Sequence, residues 1–233
     1  MVSTKLNSNK PFVCEYCHSG YMRESTLNSH LCTPKRRALQ QNEKRVRLGY
    51  YTFNQFYRLS AGAKSDKSYE EFCKSNYYNA FVKFGSFLSN VKPLYIDKYI
   101  TYIVTSGIKI DKWCDESIYE NYVIDLIRKE GVESALERSI NTMVEWATEN
   151  HHNWTDYFNL VSVNRAVWNI KDGKISPWLI LNCQSGKSML SKFNDEQLQM
   201  IYRILDPEHW SLRFKRQKAD LILVKDIIQK ANI

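Results

Sequence analysis

From Val46 to the C-terminus, apolar side chains recur at intervals of three and four residues, the spacing that gathers one face of a helix. The first such stretch carries Leu48, Phe53, Phe56, Tyr57 and Leu59 and runs into a loop at Ala61-Gly62 and Ser65-Asp66. A single amphipathic element is then expected over 68–90, with Phe72, Tyr77, Phe81, Phe84, Phe87 and Leu88. These aromatics could stack on bases, but at helical spacing they read as core. Pro93 is expected to open the next helix, with Ile96, Tyr99, Ile100, Ile103 and Val104 inward, ending at Ser106-Gly107. Asp115 caps 116–129, Gly131 separates this from a helix over 132–149, and an apolar run covers 153–172 before the turn Asp172-Gly173-Lys174. Ser176-Pro177, Asn194 and Asp206-Pro207 each carry a helix-start signature, and a last helix spans about 218–231. Strand signals are nearly absent, so the body from 48 to 233 is expected to be all-α, with roughly nine or ten helices. Trp113, Trp146, Trp178 and Trp210 recur every 32 or 33 residues, but their flanks do not align, which argues against a repeat.

The N-terminal stretch follows another rule. Two residues separate Cys14 from Cys17, twelve separate Cys17 from His30, and Cys32 comes almost at once. Three thiolates and an imidazole are the ligand chemistry of a structural Zn²⁺ site. Phe12, Tyr21 and Leu27 would frame a core too small to fold without metal. Free thiols would leave this spacing without a reason, and a redox Cys-x-x-Cys lacks its βαβ setting. His18 is expected to be an exposed knuckle residue rather than a ligand. The pattern resembles the ββα zinc fingers over residues 12–30. That resemblance implies two short strands and a helix presenting Arg23, Thr26 and Ser29 to base edges, with Arg23 favouring guanine. The departure is the one-residue gap between His30 and Cys32, which requires the helix to stop at His30 and the chain to turn away at Thr33-Pro34. The organisation read from sequence is therefore a disordered lead-in at 1–10, a finger at 11–33, a basic and helical segment at 34–47, and the helical body from 48 to 233. The fold class is mainly α, a small ββα finger followed by an all-α multi-helix domain.

Charge sharpens this division. The net charge is +8, and residues 1–60 hold ten Lys or Arg against three Glu, which leaves the rest of the chain close to neutral. Lys35, Arg36, Arg37, Lys44, Arg45 and Arg47 follow directly behind the finger and are candidate phosphate contacts. One finger reads about three base pairs, too few to define a site without such contacts. Cys73, Cys114 and Cys183 lie apart in apolar surroundings and are expected to be reduced core thiols, which points to a cytoplasmic, non-secreted protein with no membrane partner. Gly186-Lys187-Ser188 has the tail of a phosphate-binding loop but lacks the glycine at Leu181 and a preceding strand, so no nucleotide is expected there. No catalytic constellation stands out. The blocks His30-Leu-Cys32-Thr-Pro34-Lys-Arg-Arg37, Val46-Arg-Leu-Gly49, Tyr77 to Gly85, Lys109 to Cys114 and Ile175-Ser-Pro-Trp178 resemble proteins of large contractile-tailed bacteriophages. That resemblance implies a viral protein in a bacterial cytoplasm and supplies no activity. The leading expectation is a non-enzymatic protein that binds double-stranded DNA through the finger and basic segment. The alternatives are an adaptor for a polymerase or virion component, and a nuclease or modifying enzyme with a site hidden in the helical body.

Overall fold

A computed structural model describes residues 10–233; the expected lead-in lies almost wholly outside them. The protein is mainly α, with one two-stranded sheet near the N-terminus. The chain divides into two compact units, one up to Asp115 and one from Glu116 to Ile233, where the periodicity alone offered one body from residue 48.

The first unit begins with β1 (Phe12–Val13) paired antiparallel to β2 (Gly20–Tyr21), Phe12 opposite Tyr21. Helix α1 (Glu24–Ser29) follows, then α2 (Thr33–Leu39) and α3 (Lys44–Ala61). The basic segment is thus not one helix. Its chain breaks over residues 40–43 and restarts, so Lys35, Arg36 and Arg37 lie on a different helix from Lys44, Arg45 and Arg47. Thr33-Pro34 does not simply lead the chain away. Pro34 sits in the first turn of α2, where a missing amide hydrogen costs nothing.

Helix α3 packs along α5 (Tyr78–Val91) at two glycines. A Cβ on Gly85 would lie 2.0 Å from the Arg45 carbonyl oxygen, and one on Gly49 would lie 2.8 Å from that of Phe81. The two backbones therefore touch where any side chain would hold them apart. Around this crossing, Phe53 meets Phe72 at 5.2 Å and Phe81 at 5.4 Å between ring centroids, and Phe84 meets Trp113 at 5.3 Å. Phe53, Phe72, Phe81, Phe84 and Trp113 are all buried, so the dense aromatics are core.

The expected element over 68–90 is two helices. Helix α4 (Tyr69–Lys74) starts at a capping box formed by Ser68 and Glu71, and α5 starts anew at Tyr78. Pro93 precedes its helix rather than opening it: Lys92 adopts a left-handed backbone that ends α5, and α6 spans Ile96–Thr105. A 3₁₀ turn at Ile110–Lys112 then delivers Trp113, whose indole N–H donates to the Ile108 carbonyl at 2.8 Å.

The second unit opens with α7 (Glu116–Lys129) and α8 (Val132–Asn150), close to the bounds read from sequence. The run over 153–172 is divided into a 3₁₀ turn at Trp154–Asp156, α9 (Tyr157–Leu160) and α10 (Val163–Lys171). Ser162 caps α10 by accepting from the Arg165 amide at 3.4 Å. Helices α11 (Pro177–Ile180), α12 (Gln184–Leu190), α13 (Asp195–Leu205), α14 (Pro207–Arg216) and α15 (Lys218–Ala231) complete the unit. Short capped breaks of this kind raise the helix number above the nine or ten expected. Trp178 and Trp210 pack edge to face at 5.8 Å, with Phe214 against both.

Two arginines order the polar interior of this unit. Arg213 donates to the carbonyls of Ile127, Arg128 and Glu130 at 3.1, 2.7 and 2.6 Å, closing the C-terminal end of α7. Arg138 grips the Glu130 carboxylate through both terminal nitrogens and donates to the Gly173 carbonyl at 2.7 Å. That pair is almost fully buried, so loss of either partner would strand a charge away from water. No helix among the described residues is long and apolar enough to cross a membrane.

Candidate metal centre and its basic flank

The metal-ligating residues expected from spacing come together. Cys14, Cys17, His30 and Cys32 present Sγ and ring-nitrogen atoms that all lie within 4.8 Å of one another. Cys14 Sγ is 3.9 Å from Cys32 Sγ, and Cys17 Sγ is 3.2 Å from His30 Nε2. Two zinc–sulfur bonds of about 2.3 Å at a tetrahedral angle set their sulfurs roughly 3.8 Å apart. The four atoms thus form a cage of the size one metal ion needs.

Each ligand is positioned by a separate local device. The knuckle 14–19 is closed by two backbone bonds, Cys14 N–H to Ser19 O at 3.0 Å and His18 N–H to Cys14 O at 2.8 Å. His18 takes a left-handed backbone in this turn and points into solvent, as expected of a knuckle residue. His30 follows the last residue of α1 in an extended conformation, so the imidazole is offered from the helix end and not from within it. Its Nε2 faces Cys17, and its Nδ1 lies 2.7 Å from the Tyr21 hydroxyl. With Nε2 given to a metal, Nδ1 carries the proton and donates to Tyr21, which fixes the tautomer and the ring plane. The sequence named Tyr21 only as a core residue; its polar role depends on the strand register that brings it to His30.

Cys32 has two tasks. It is the fourth candidate ligand and also the N-cap of α2, with Sγ accepting from the Lys35 amide at 3.5 Å. The tight His-x-Cys gap therefore welds the metal cage to the start of the basic helix. Hydrogen bonds from the Ser19 side chain and amide hold the Cys17 thiol down to about 6, favouring the thiolate that binds metal. Desolvation pushes the Cys32 thiol up.

The expected nucleic-acid contacts fare unevenly. Arg23, Thr26 and Ser29 are exposed on and beside α1, but the Ser29 hydroxyl donates back to the Thr26 carbonyl at 3.1 Å. Arg36, Lys44, Arg45 and Arg47 are exposed and Lys35 is half-buried. Arg45 pairs with Glu43 at 2.7 Å, an exposed bridge of the kind worth about 0–1 kcal/mol. Arg37 does not present a free cation. Its guanidinium lies 4.1 Å over the Tyr78 ring and donates to the Cys73 carbonyl, while its own carbonyl accepts from the Tyr69 hydroxyl at 2.7 Å. Spacing could not show this, because Cys73 and Tyr78 lie far along the chain.

The remaining cysteines are unbridged, and only Cys183 is the buried core thiol expected of all three; Cys73 and Cys114 are half-buried. Gly186, Lys187 and Ser188 lie within α12, with the Gly186 amide capped by Cys183 Sγ at 3.3 Å. A Cβ on Gly186 would come within 2.6 Å of the Ile180 carbonyl oxygen, which gives that glycine a packing reason. No protein-family model, curated protein or solved structure matches the chain.

Proposed function

We propose that this chain is a zinc-dependent nucleic-acid-binding protein, directed first at double-stranded DNA, in which the finger and the starts of α2 and α3 act as one surface. The observation that carries this reading is the double use of Cys32 as ligand and helix cap. Metal loading then sets the direction of α2 along with the finger. Arg23, Lys35, Arg36, Lys44, Arg45 and Arg47 supply cations, and Arg37 is left out because its guanidinium is engaged within the fold. The ion is taken as zinc because three thiolates with one imidazole form a common structural zinc set. On the resemblance of its sequence blocks alone, the reading places the protein in a phage-infected bacterial cytoplasm, with no catalytic role.

Salt titration of duplex binding tests it. Each neutralised phosphate contributes roughly −0.9 to the slope of log affinity against log salt. Replacing Lys35, Arg36 and Arg47 with alanine should lower the slope by about 2 to 3 and weaken binding to all sequences alike. Binding that ignores salt, or a triple variant that behaves as wild type, ends the proposal.

One observation favours an adaptor as the second reading. In the second unit, Phe214, Leu221 and Ile222 line an open groove of about 410 Å³ rimmed by Lys215, Lys218 and Lys225. Such a groove suits an acidic amphipathic segment of a polymerase or virion protein. Reversing the three lysines to glutamate should release that partner and leave DNA binding by the finger intact.

A further inference from the structure

We infer that the outward face of α3 seats an unpaired nucleotide, so that the surface proposed above recognises a duplex beside a single-stranded stretch. The inference rests on the nucleic-acid reading and extends it to the state of the strand. Helix α3 buries Val46, Gly49 and Phe53 on one side. Along another face, Arg47, Tyr50, Tyr51, Asn54, Gln55 and Arg58 line a trough of about 260 Å³. Gln41 and Asp66 lie at its margins. The volume falls below the roughly 300–1,000 Å³ of drug-sized sites and suits a single planar ring.

The trough is built before any ligand arrives. Tyr50 donates its hydroxyl to the Lys67 carbonyl at 2.6 Å and packs edge to face on Tyr69 at 5.5 Å. Tyr51 donates to Asp97 while its ring stays partly open to solvent. Burial, with the Asp97 bond, pushes that phenol up to about 12, so it remains a neutral donor. Asn54 accepts from the Lys67 amide at 2.8 Å and donates to the Tyr50 carbonyl at 3.4 Å, fixing the trough wall. Both rings are held against the entropy that a mobile side chain would lose on stacking.

Charge completes the seat. Arg47 lies one turn before Tyr51, and its side chain has no hydrogen-bond or ion-pair partner among the described residues, so its guanidinium is free for a phosphate. Arg58, three turns on, is held by Asp66 at 2.8 Å in an exposed pair that a second phosphate can open cheaply. A base on a tyrosine ring with its phosphate on an arginine is the pairing by which single strands are held without regard to sequence. Arg47 shares the first turns of α3 with Lys44 and Arg45, so a strand leaving the basic flank meets the trough directly.

Fluorescence anisotropy with the zinc-loaded full chain decides it. The probes are a blunt duplex, the same duplex with a short 3′ or 5′ oligo-dT tail, the same duplex with an oligo-rU tail, and free oligo-dT. A tail should tighten binding roughly tenfold, the scale of one stacked base. Tyr51→Ala should erase that gain and leave blunt-duplex affinity unchanged, whereas Tyr51→Phe, which keeps the ring and loses only the hydroxyl, should retain it. A gain with both tails identifies an unpaired strand of either sugar as the ligand; a gain with one alone assigns it to DNA or RNA. Tails that add nothing to the wild type, or a Tyr51→Ala loss equal on blunt and tailed duplex, overturn the seat but spare the duplex reading. Binding to free oligo-dT with none to blunt duplex keeps the seat and overturns the duplex reading. Absence of binding to every probe overturns both.

Discussion

Within the first unit, the finger and the helices behind it hold their shapes by opposite means. From residue 10 to 32 only one side chain, that of Cys14, is buried, and Phe12, Tyr21 and Leu27 remain half-exposed. Behind it, α3, α4 and α5 bury Phe53, Phe72, Phe81, Phe84 and Leu88 and bring two helix backbones into contact. One part has a cage of candidate metal ligands in place of a core, the other is held by packing, and the boundary runs through α2. At its first turn α2 is capped by a candidate metal ligand, and at Arg37 it is pinned to Tyr69, Cys73 and Tyr78.

Removal of metal is the strongest way to break this contrast. Chelation, or Cys17→Ser, should unfold residues 12–35, since zinc supplies on the order of 10 kcal/mol to such sites. Hydrogen exchange should show protection lost through Lys35 and kept from Arg37 onward. Loss of protection across α3 and α5 as well would show that the two parts are not energetically separate.

The next test acts on the packed side. Alanine at position 85 improves helix propensity by about 1 kcal/mol, so propensity alone predicts a stabilised variant. The Cβ, however, would fall 2.0 Å from the Arg45 carbonyl oxygen, and that backbone has no side chain to move aside. Gly85→Ala should therefore destabilise the first unit by about 3 kcal/mol in urea unfolding and leave zinc stoichiometry at one. A neutral or stabilising result would mean that the crossing can open.

The smallest effect concerns protons in the second unit. Burial, and the charges of Arg128 and Arg213, hold the His209 imidazole below its usual value. The unfolded chain thus takes up a proton that the folded unit resists. His209 imposes no loss at neutral pH, and stability declines as pH falls through the unfolded value near 6.5 toward the lower folded one. The urea midpoint, read at α14 amides by exchange, should drop between about pH 7 and 5.5, and His209→Leu should flatten that drop. The finger should lose its metal by a different route, as protons compete for its thiolates.

How much could be read in advance follows the same divide. The ligand set was legible because metal chemistry demands certain residue types at certain spacings, and all four lie within nineteen residues. Helix starts at Ser176-Pro177, Asn194 and Asp206-Pro207 were legible for a similar reason, since caps are local. The break between α4 and α5 was not, because Ser75 to Tyr77 carry no glycine or proline to mark it. Nor was the engagement of Arg37, or the purpose of Gly49 and Gly85, which depend on partners more than thirty residues away. The trough on α3 combines both cases. Its face follows from helical periodicity, but its depth and locked rings come from Lys67, Tyr69 and Asp97.

The single residue between His30 and Cys32 has a mechanical consequence. A linker of several residues would let the two helices swing, and any partner that touched both would have to still that motion. With Leu31 as the only spacer, and both neighbours directed into one cage, an ion held by all four side chains would leave α1 and α2 little angular play. On the proposed reading, metal loading would complete this ordering beforehand, so that a nucleic acid would meet two helices already held at one angle.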